Sequence, residues 1–211
     1  MRVLNLYAGV GGNRLHWTGA DVTAVELDPA IAEIYSHHFP KDEMIVGDAH
    51  EYLRNYVDDG WDLIWSSPPC QTHSRFILSG TNRKRRRYPD MKLYEEILWL
   101  QRYHSNNLVG SYVVENVIPY YGELIPAQRI GRHLFWTDLD LSGIEDVKRP
   151  PGFWKELTSV DGSKKVQDWL GMSWDKNVYY ETNHDPSQIW RNAVHPTVGQ
   201  SIYERMVSER D

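Results

Sequence analysis

The chain has one cysteine, Cys70, in the stretch Ser66-Ser67-Pro68-Pro69-Cys70-Gln71-Thr72-His73-Ser74. A lone cysteine is most often a small buried hydrophobe. Two prolines directly before Cys70 argue for a different place, because they stiffen the backbone and stop a strand. The thiol is expected on a loop, where its thiolate form is a strong nucleophile. A carboxylate, Glu115, stands in Val113-Val114-Glu115-Asn116-Val117, at the end of an apolar run where it can hold or deliver a proton. A third group is the glycine turn Leu6-Tyr7-Ala8-Gly9-Val10-Gly11-Gly12. Glycines there allow close approach of a nucleotide and backbone angles that other residues avoid. The spacing is G-x-G-G, not the G-x-G-x-x-G of dinucleotide binders, so no pyrophosphate cradle is expected. Glu26 and Asp48 each close a strand-like run, and their carboxylates suit ribose hydroxyls and the amino group of an adenine. The three features together point to an adenosine-type ligand that lacks a pyrophosphate.

The elements that must position these groups are legible as alternating patterns. Candidate strands are Val3–Leu6, Val22–Glu26, Met44–Val46, Asp62–Trp65 and Tyr112–Glu115. Helical patterns separate them: a short helix after the glycine turn, one capped by Asp28 and opened by Pro29 with Ile31, Ile34 and Tyr35 inward, and Ala49–Val57. The longest runs from about Asp90 to Leu108, with Leu93, Ile97, Leu98 and Leu100 as its apolar face. The alternation predicts an α/β fold with a mostly parallel, Rossmann-like sheet. In such sheets ligands bind at the carboxyl ends of the strands, which is where every group named so far falls. An adenosine ligand without a pyrophosphate at that rim points to S-adenosylmethionine rather than NAD. Further on, His133–Trp136 and Leu139–Leu141 read as strands, Val166–Met172 as a short helix, and Pro196 opens a helix ending near Glu209.

A length of 211 residues with 41% hydrophobic side chains suits one substantial domain and not two. No apolar run approaches the roughly 18 residues that would span a membrane. No signal peptide precedes the first strand, and one cysteine makes no internal disulfide, so a reducing, cytoplasmic setting is expected. No H-E-x-x-H or Cys/His cluster exists, so no metal site is expected. The net charge of −6 speaks against a nucleic-acid partner, but the distribution speaks for one. Residues 75–92 hold Arg75, Arg83, Lys84, Arg85, Arg86, Arg87 and Lys92 against Asp90 alone, a local +6 that leaves −12 on the rest. A basic loop on an acidic body is a local electrostatic footprint, and it follows Cys70.

In this order the motifs resemble those of the DNA cytosine-5 methyltransferase family. The resemblance rests on the glycine turn, Glu26, Asp48, Pro69-Cys70-Gln71 and Glu115-Asn116-Val117. It continues in Gln128-Arg129-Ile130-Gly131-Arg132, similar to the family's Gln-x-Arg-x-Arg, and in Asn192-Ala193-Val194, similar to its Asn-Ser-Val. The resemblance implies a Rossmann-like methyltransferase fold that uses S-adenosylmethionine to methylate carbon 5 of a flipped-out cytosine in double-stranded DNA. It implies catalytic roles for Cys70 as nucleophile, Glu115 as acid toward the base, Arg132 at its O2 and Gln128 as support for the catalytic loop. Tyr7, Ala8, Gly9, Gly11, Gly12, Glu26, Leu27, Asp48, Ala49, Pro69, Asn192 and Val194 would hold the cofactor. Gln71, Ser74, Arg83, Lys84, Arg85, Arg86, Arg87 and Arg129 would meet the nucleic acid.

Three departures matter. Ile130 replaces the middle arginine, His73 replaces an aromatic, and the target-recognition region shrinks to residues 137–165, inserted in a catalytic domain of 1–136 and 166–211. So short an insert builds no core of its own, and sequence discrimination then falls to the basic loop or a partner subunit. A chain this compact fits a gene carried by a virus or mobile element. Two alternatives keep the motifs: the same chemistry on RNA, or a weakly catalytic cofactor-binding subunit that positions a partner on nucleic acid.

Overall fold

The computed structural model describes residues 1–75, 88–150, 160–179 and 185–209. Among these, strands β1 (Arg2–Leu6), β2 (Asp21–Glu26), β3 (Glu43–Val46), β4 (Leu63–Ser66), β5 (Ser111–Val117), β6 (Gln128–Ile130) and β7 (His133–Thr137) form one sheet. Their order across it is β3-β2-β1-β4-β5-β7-β6. The first five pair in parallel, and β7 runs antiparallel between β5 and β6. The helices are α1 (Pro29–His38), α2 (Ala49–Tyr56), α3 (Lys92–Ser105), α4 (Val160–Leu170), α5 (Gln188–Arg191) and α6 (Pro196–Ser208).

Side chains alternate strictly between the two faces of the sheet. Val3, Val22, Trp65, Val113 and Phe135 join a core with α1, α4, α5 and α6. Leu4, Leu6, Val25, Ile64, Val114 and Trp136 join a second core with α2 and α3. Burial on both faces is why the central strands read as continuous apolar runs, and the three layers are the expected Rossmann-like fold. Asp28 caps α1 by accepting from the Ala30 N–H at 2.8 Å, with Pro29 at the first helical position. No helix among the described residues is long and apolar enough to cross a membrane.

Four local expectations are corrected. No helix follows the glycine turn; residues 12–16 form successive turns in which Arg14, Leu15 and Trp17 bond to carbonyls three residues back. Trp17 draws this segment against α6, stacking on Tyr203 at 5.4 Å and donating to the Gly199 carbonyl at 3.1 Å. Leu139–Leu141 is not a strand, although both leucines are buried. The Gln128 side chain takes the place of a strand partner, donating to the Leu139 carbonyl at 2.6 Å and accepting from the Leu141 N–H at 2.8 Å. Helix α4 begins at Val160, ahead of the expected Val166. On α3, Leu98 is 57% exposed, and the inward position belongs to Glu96, which is fully buried.

Glu96 is tolerated there because three donors meet it. Its Oε1 accepts from the Tyr7 hydroxyl at 2.6 Å and pairs with His50 Nδ1 at 2.8 Å, and its Oε2 accepts from the Ser66 hydroxyl at 2.5 Å. The carboxylate thus ties α3 to the ends of β1 and β4 and to α2. Burial and Glu96 push the Tyr7 hydroxyl far above its ordinary pKa, so it stays a donor. The hydrogen bond to Glu96 raises the His50 pKa against the opposing effect of burial.

Glu96→Leu strands these donors and should cost about 3–5 kcal/mol in the urea-unfolding free energy, whereas Leu98→Ala should stay within about 0.5 kcal/mol. His50 is raised in the folded state, so its contribution should be full below the free-histidine range near ~6.5 and be lost as pH rises through the raised pKa. Urea midpoints of the protein and of His50→Gln across that range measure it; a gap between them that widens with rising pH would contradict the assignment.

Candidate active site

The carboxyl ends of β1, β2 and β5, the start of α2, the loop after β4 and the segment before α6 enclose one cavity of about 560 Å³. At one end of it the chain leaves β1 through Tyr7, whose φ of 54° is unusual for a non-glycine residue. Its hydroxyl bond to Glu96 holds it there. Gly9, also at φ 54°, donates its N–H to Glu26 Oε2 at 2.9 Å, and the Asp28 N–H reaches Glu26 Oε1 at 3.0 Å. Burial pushes the Glu26 carboxyl above its ordinary pKa, while these backbone donors pull it back. Asp48 caps α2 through Oδ1, which accepts from the His50 and Glu51 N–H groups at 2.8 and 3.2 Å. Its Oδ2 lies 3.9 Å from Lys92 Nζ.

Of the residues expected at a cofactor, Tyr7, Ala8, Gly9, Gly12, Glu26, Leu27, Asp48, Ala49, Pro69, Asn192 and Val194 line this cavity. Gly11 does not, and its smallness serves packing: a Cβ there would overlap Phe39 and Tyr35. Gly12 lets the C-terminal motif close in, since a Cβ would run into Ala193 and the Val194 carbonyl. Two carboxylates beside the turn would repel a pyrophosphate and can accept from hydroxyls and an amine. Ile31, Leu93 and Leu27 add apolar wall. The lining therefore fits S-adenosylmethionine, whose ribose hydroxyls and adenine amine Glu26 and Asp48 could accept from.

Beyond the cofactor wall lies the loop after β4. Strand register sets Ser66 beside Val114, so the loop rises next to Glu115. Asn116 Nδ2 donates to the Pro68 carbonyl at 2.9 Å, and its Oδ1 accepts from the Val117 N–H. The Cys70 carbonyl accepts from the His73 and Ser74 N–H groups at 3.0 and 2.9 Å, closing a tight turn that faces Cys70 to the cavity. Burial and the nearby Glu115 charge push the Cys70 thiol up to about 11, while Arg132 opposes them. Burial lowers Arg132 to about 10, which leaves it charged at neutral pH.

Glu115 and Arg132 line the same cavity and are joined through His133. His133 pairs through Nδ1 with Glu115 Oε1, and its Nε2 accepts from Arg132 Nε at 3.0 Å. Arg132 Nη2 also donates to the Arg191 carbonyl at 3.0 Å. Gln71 and Ser74 line the cavity too, and both Gln71 Oε1 and His73 Nε2 are buried without a hydrogen-bond partner among the described residues.

Two expected site residues, Gln128 and Arg129, are not brought together with these. Gln128 fastens residues 139–141 and does not border the cavity. Arg129 is exposed, its Nε donating to the Gly131 carbonyl at 2.8 Å, and Ile130 beside it is core. The basic run Arg83, Lys84, Arg85, Arg86 and Arg87 lies outside the described residues. His133 and Asn116 had no assigned role in the sequence; the register of β5 against β7 is the signal that finds His133.

A thiol raised from 9.0 to about 11 carries about 100-fold less thiolate at neutral pH than an ordinary cysteine. Alkylation of Cys70 by iodoacetamide should be slowed accordingly. Glu115→Gln should speed it and Arg132→Leu should slow it further; a rate equal to free cysteine would contradict the geometry.

Residues 1–98 match the model of the family described as C-5 cytosine-specific DNA methylase. A tRNA (cytosine(38)-C(5))-methyltransferase of Mus musculus is 30% identical over 86 residues, which are 38% of this chain and 21% of that protein. Its Rattus norvegicus counterpart is 30% identical over 94 residues, 41% and 24% of the two. The matched stretch thus spans about a quarter or less of these curated relatives. Two solved structures share the fold over nearly the whole chain. The Entamoeba histolytica methyltransferase EhMeth has a TM-score of 0.58 at 12% identity, covering 100% of this chain and 99% of that one. The S. pombe Dnmt2 methyltransferase has a TM-score of 0.53 at 14% identity, covering 98% and 97%. Residues 1–98 are thus similar to the C-5 cytosine-specific DNA methylase family, which implies S-adenosylmethionine as cofactor, and the chain shares the fold of these two methyltransferase structures.

Proposed function

We propose that the chain methylates carbon 5 of cytosine in DNA, with Cys70 as the nucleophile. The observation that carries this reading is that Cys70, Glu115 and Arg132 border the same cavity as Glu26 and the glycine turn. Carbon 5 of cytosine is a poor nucleophile until carbon 6 is attacked. As the base arrives, the Cys70 thiol proton passes to the Glu115 carboxylate and Sγ bonds to carbon 6. Glu115 hands that proton on to N3, and the Arg132 guanidinium lies toward O2, so the charge building in the ring is neutralised. Bound S-adenosylmethionine supplies an electrophilic methyl group for carbon 5. N3 returns its proton to Glu115, and loss of the carbon 5 proton to water restores the ring double bond and releases Cys70 as thiolate. A base stacked in a duplex cannot meet a thiol enclosed in a cavity, so the cytosine has to flip out.

Phosphate contacts fall to Arg83–Arg87, by their charge and their position just after Cys70. Target discrimination falls to the reduced insert 137–165, to that basic run, or to a partner subunit. The curated relatives, named as tRNA methyltransferases, favour a second reading in which the same residues act on a transfer RNA.

Transfer of labelled methyl from S-adenosylmethionine to duplex DNA and to transfer RNA, each offered alone and in competition, tests both readings. Label should enter DNA as 5-methylcytosine and vanish in Cys70→Ala. Preference for RNA would replace the first reading with the second. No label on either, with the cofactor bound, would leave a cofactor-binding subunit. Glu26→Ala should weaken S-adenosylmethionine binding by about 10- to 100-fold in calorimetry; unchanged affinity would remove Glu26 from the site.

A further inference from the structure

Glu115 and Arg132 carry opposite charges on one cavity wall, and the ring of His133 stands between them. Glu115 lies opposite Phe135 and His133 opposite Val117 in the antiparallel β5–β7 pair. The two side chains are therefore diagonal neighbours on one face, within reach of each other. Both ring nitrogens are engaged: Nδ1 with Glu115 Oε1, and Nε2 as acceptor from Arg132 Nε at 3.0 Å. An arginine N–H can only donate, so Nε2 carries no proton and Nδ1 carries the one given to Glu115. A doubly protonated ring would set an N–H against the Arg132 N–H. The contact with Arg132 thus selects one neutral tautomer.

We propose that His133 is a positioning residue for cytosine-5 transfer: a neutral imidazole that fixes the rotamer of Glu115 and keeps its carboxylate from closing into a direct ion pair with Arg132. This rests on the cytosine-5 reading of the site. One carboxylate oxygen is committed to His133, and the other has no hydrogen bond among the described residues. Arg132 is held from its far side by the Arg191 carbonyl. The acid and the cation therefore reach the base as two separate groups. If they paired directly, each would satisfy the other and neither would meet the ring.

His133→Leu keeps the bulk and removes both bonds, while His133→Gln offers an amide N–H to Glu115 and an amide oxygen to Arg132. His133→Leu should lower kcat by about 100-fold, as small displacements of catalytic groups do, with KM for cofactor and nucleic acid changed less than about 2-fold. His133→Gln should recover most of that loss. The ¹⁵N shifts of His133, read in the protein without substrate, should show a protonated Nδ1 and a bare Nε2 at neutral pH. The opposite tautomer or an imidazolium would overturn the proposal whatever the activity. Full kcat in His133→Leu would overturn it while leaving the cytosine-5 reading intact, as would equal losses in both variants with KM rising in step. A wild-type protein that transfers no methyl to DNA or RNA, yet shows the expected tautomer, would instead sink the reading on which the proposal rests.

Discussion

The side-chain amide of Asn116 donates to the carbonyl of Pro68, and that bond fastens the cysteine loop to the strand carrying Glu115. The loop has few other means of knowing where to stand. Prolines 68 and 69 remove two backbone donors, so the loop cannot extend β4 as a ladder, and it needs an acceptor of its own to be gripped from the side. Further along, the Tyr120 N–H reaches the His73 carbonyl at 2.9 Å, and Ser74 bridges Pro119. Two neighbouring loops are thus stitched together above the sheet, with the thiol at the start of the seam and the carboxylate just beneath it.

The same arrangement sets the electrostatics. Holding a thiol, a carboxylate and a guanidinium against one enclosed wall takes all three partly out of water, which is costly unless each has partners. Arg132 has a carbonyl and an imidazole, and Glu115 has the imidazole. Cys70 has only the opposing pulls of its two neighbours, and burial leaves it a thiol at rest. Perturbed groups gathered in a cleft are the usual mark of a site that does chemistry. A second buried carboxylate, Glu96, has full partners and no exposure, and its part is to hold the floor under the glycine turn.

The central strands, the capped helix after Asp28 and the carboxyl-end placement of Glu26, Asp48, Cys70 and Glu115 were all legible as sequence, because short apolar runs and turn residues are local signals. Departures arose where a side chain far along the chain decided the outcome. Leu98 looked like core because the helical pattern cannot distinguish a leucine from a glutamate that three distant donors satisfy. Leu139 and Leu141 looked like a strand because alternation does not reveal that Gln128 would supply their bonds. Gly11 looked like a ligand-cradling residue, yet it makes room for two aromatic rings, while Gly12 lines the cavity and also makes room for the returning C-terminal motif. His133 had no marking at all, since its meaning comes from the antiparallel register of two strands.

The surplus positive charge of an otherwise acidic chain falls in one run after Cys70, and under the proposed function that run draws the phosphates of the nucleic acid. On that reading the base must meet the thiol directly. The most direct test uses duplex DNA containing 5-fluorocytosine together with S-adenosylmethionine, because fluorine at carbon 5 blocks the step that frees the sulfur. The account predicts a covalent complex whose modified peptide carries Cys70 and which Cys70→Ser does not form. An adduct that survives Cys70→Ser, or none despite bound cofactor and DNA, would contradict it.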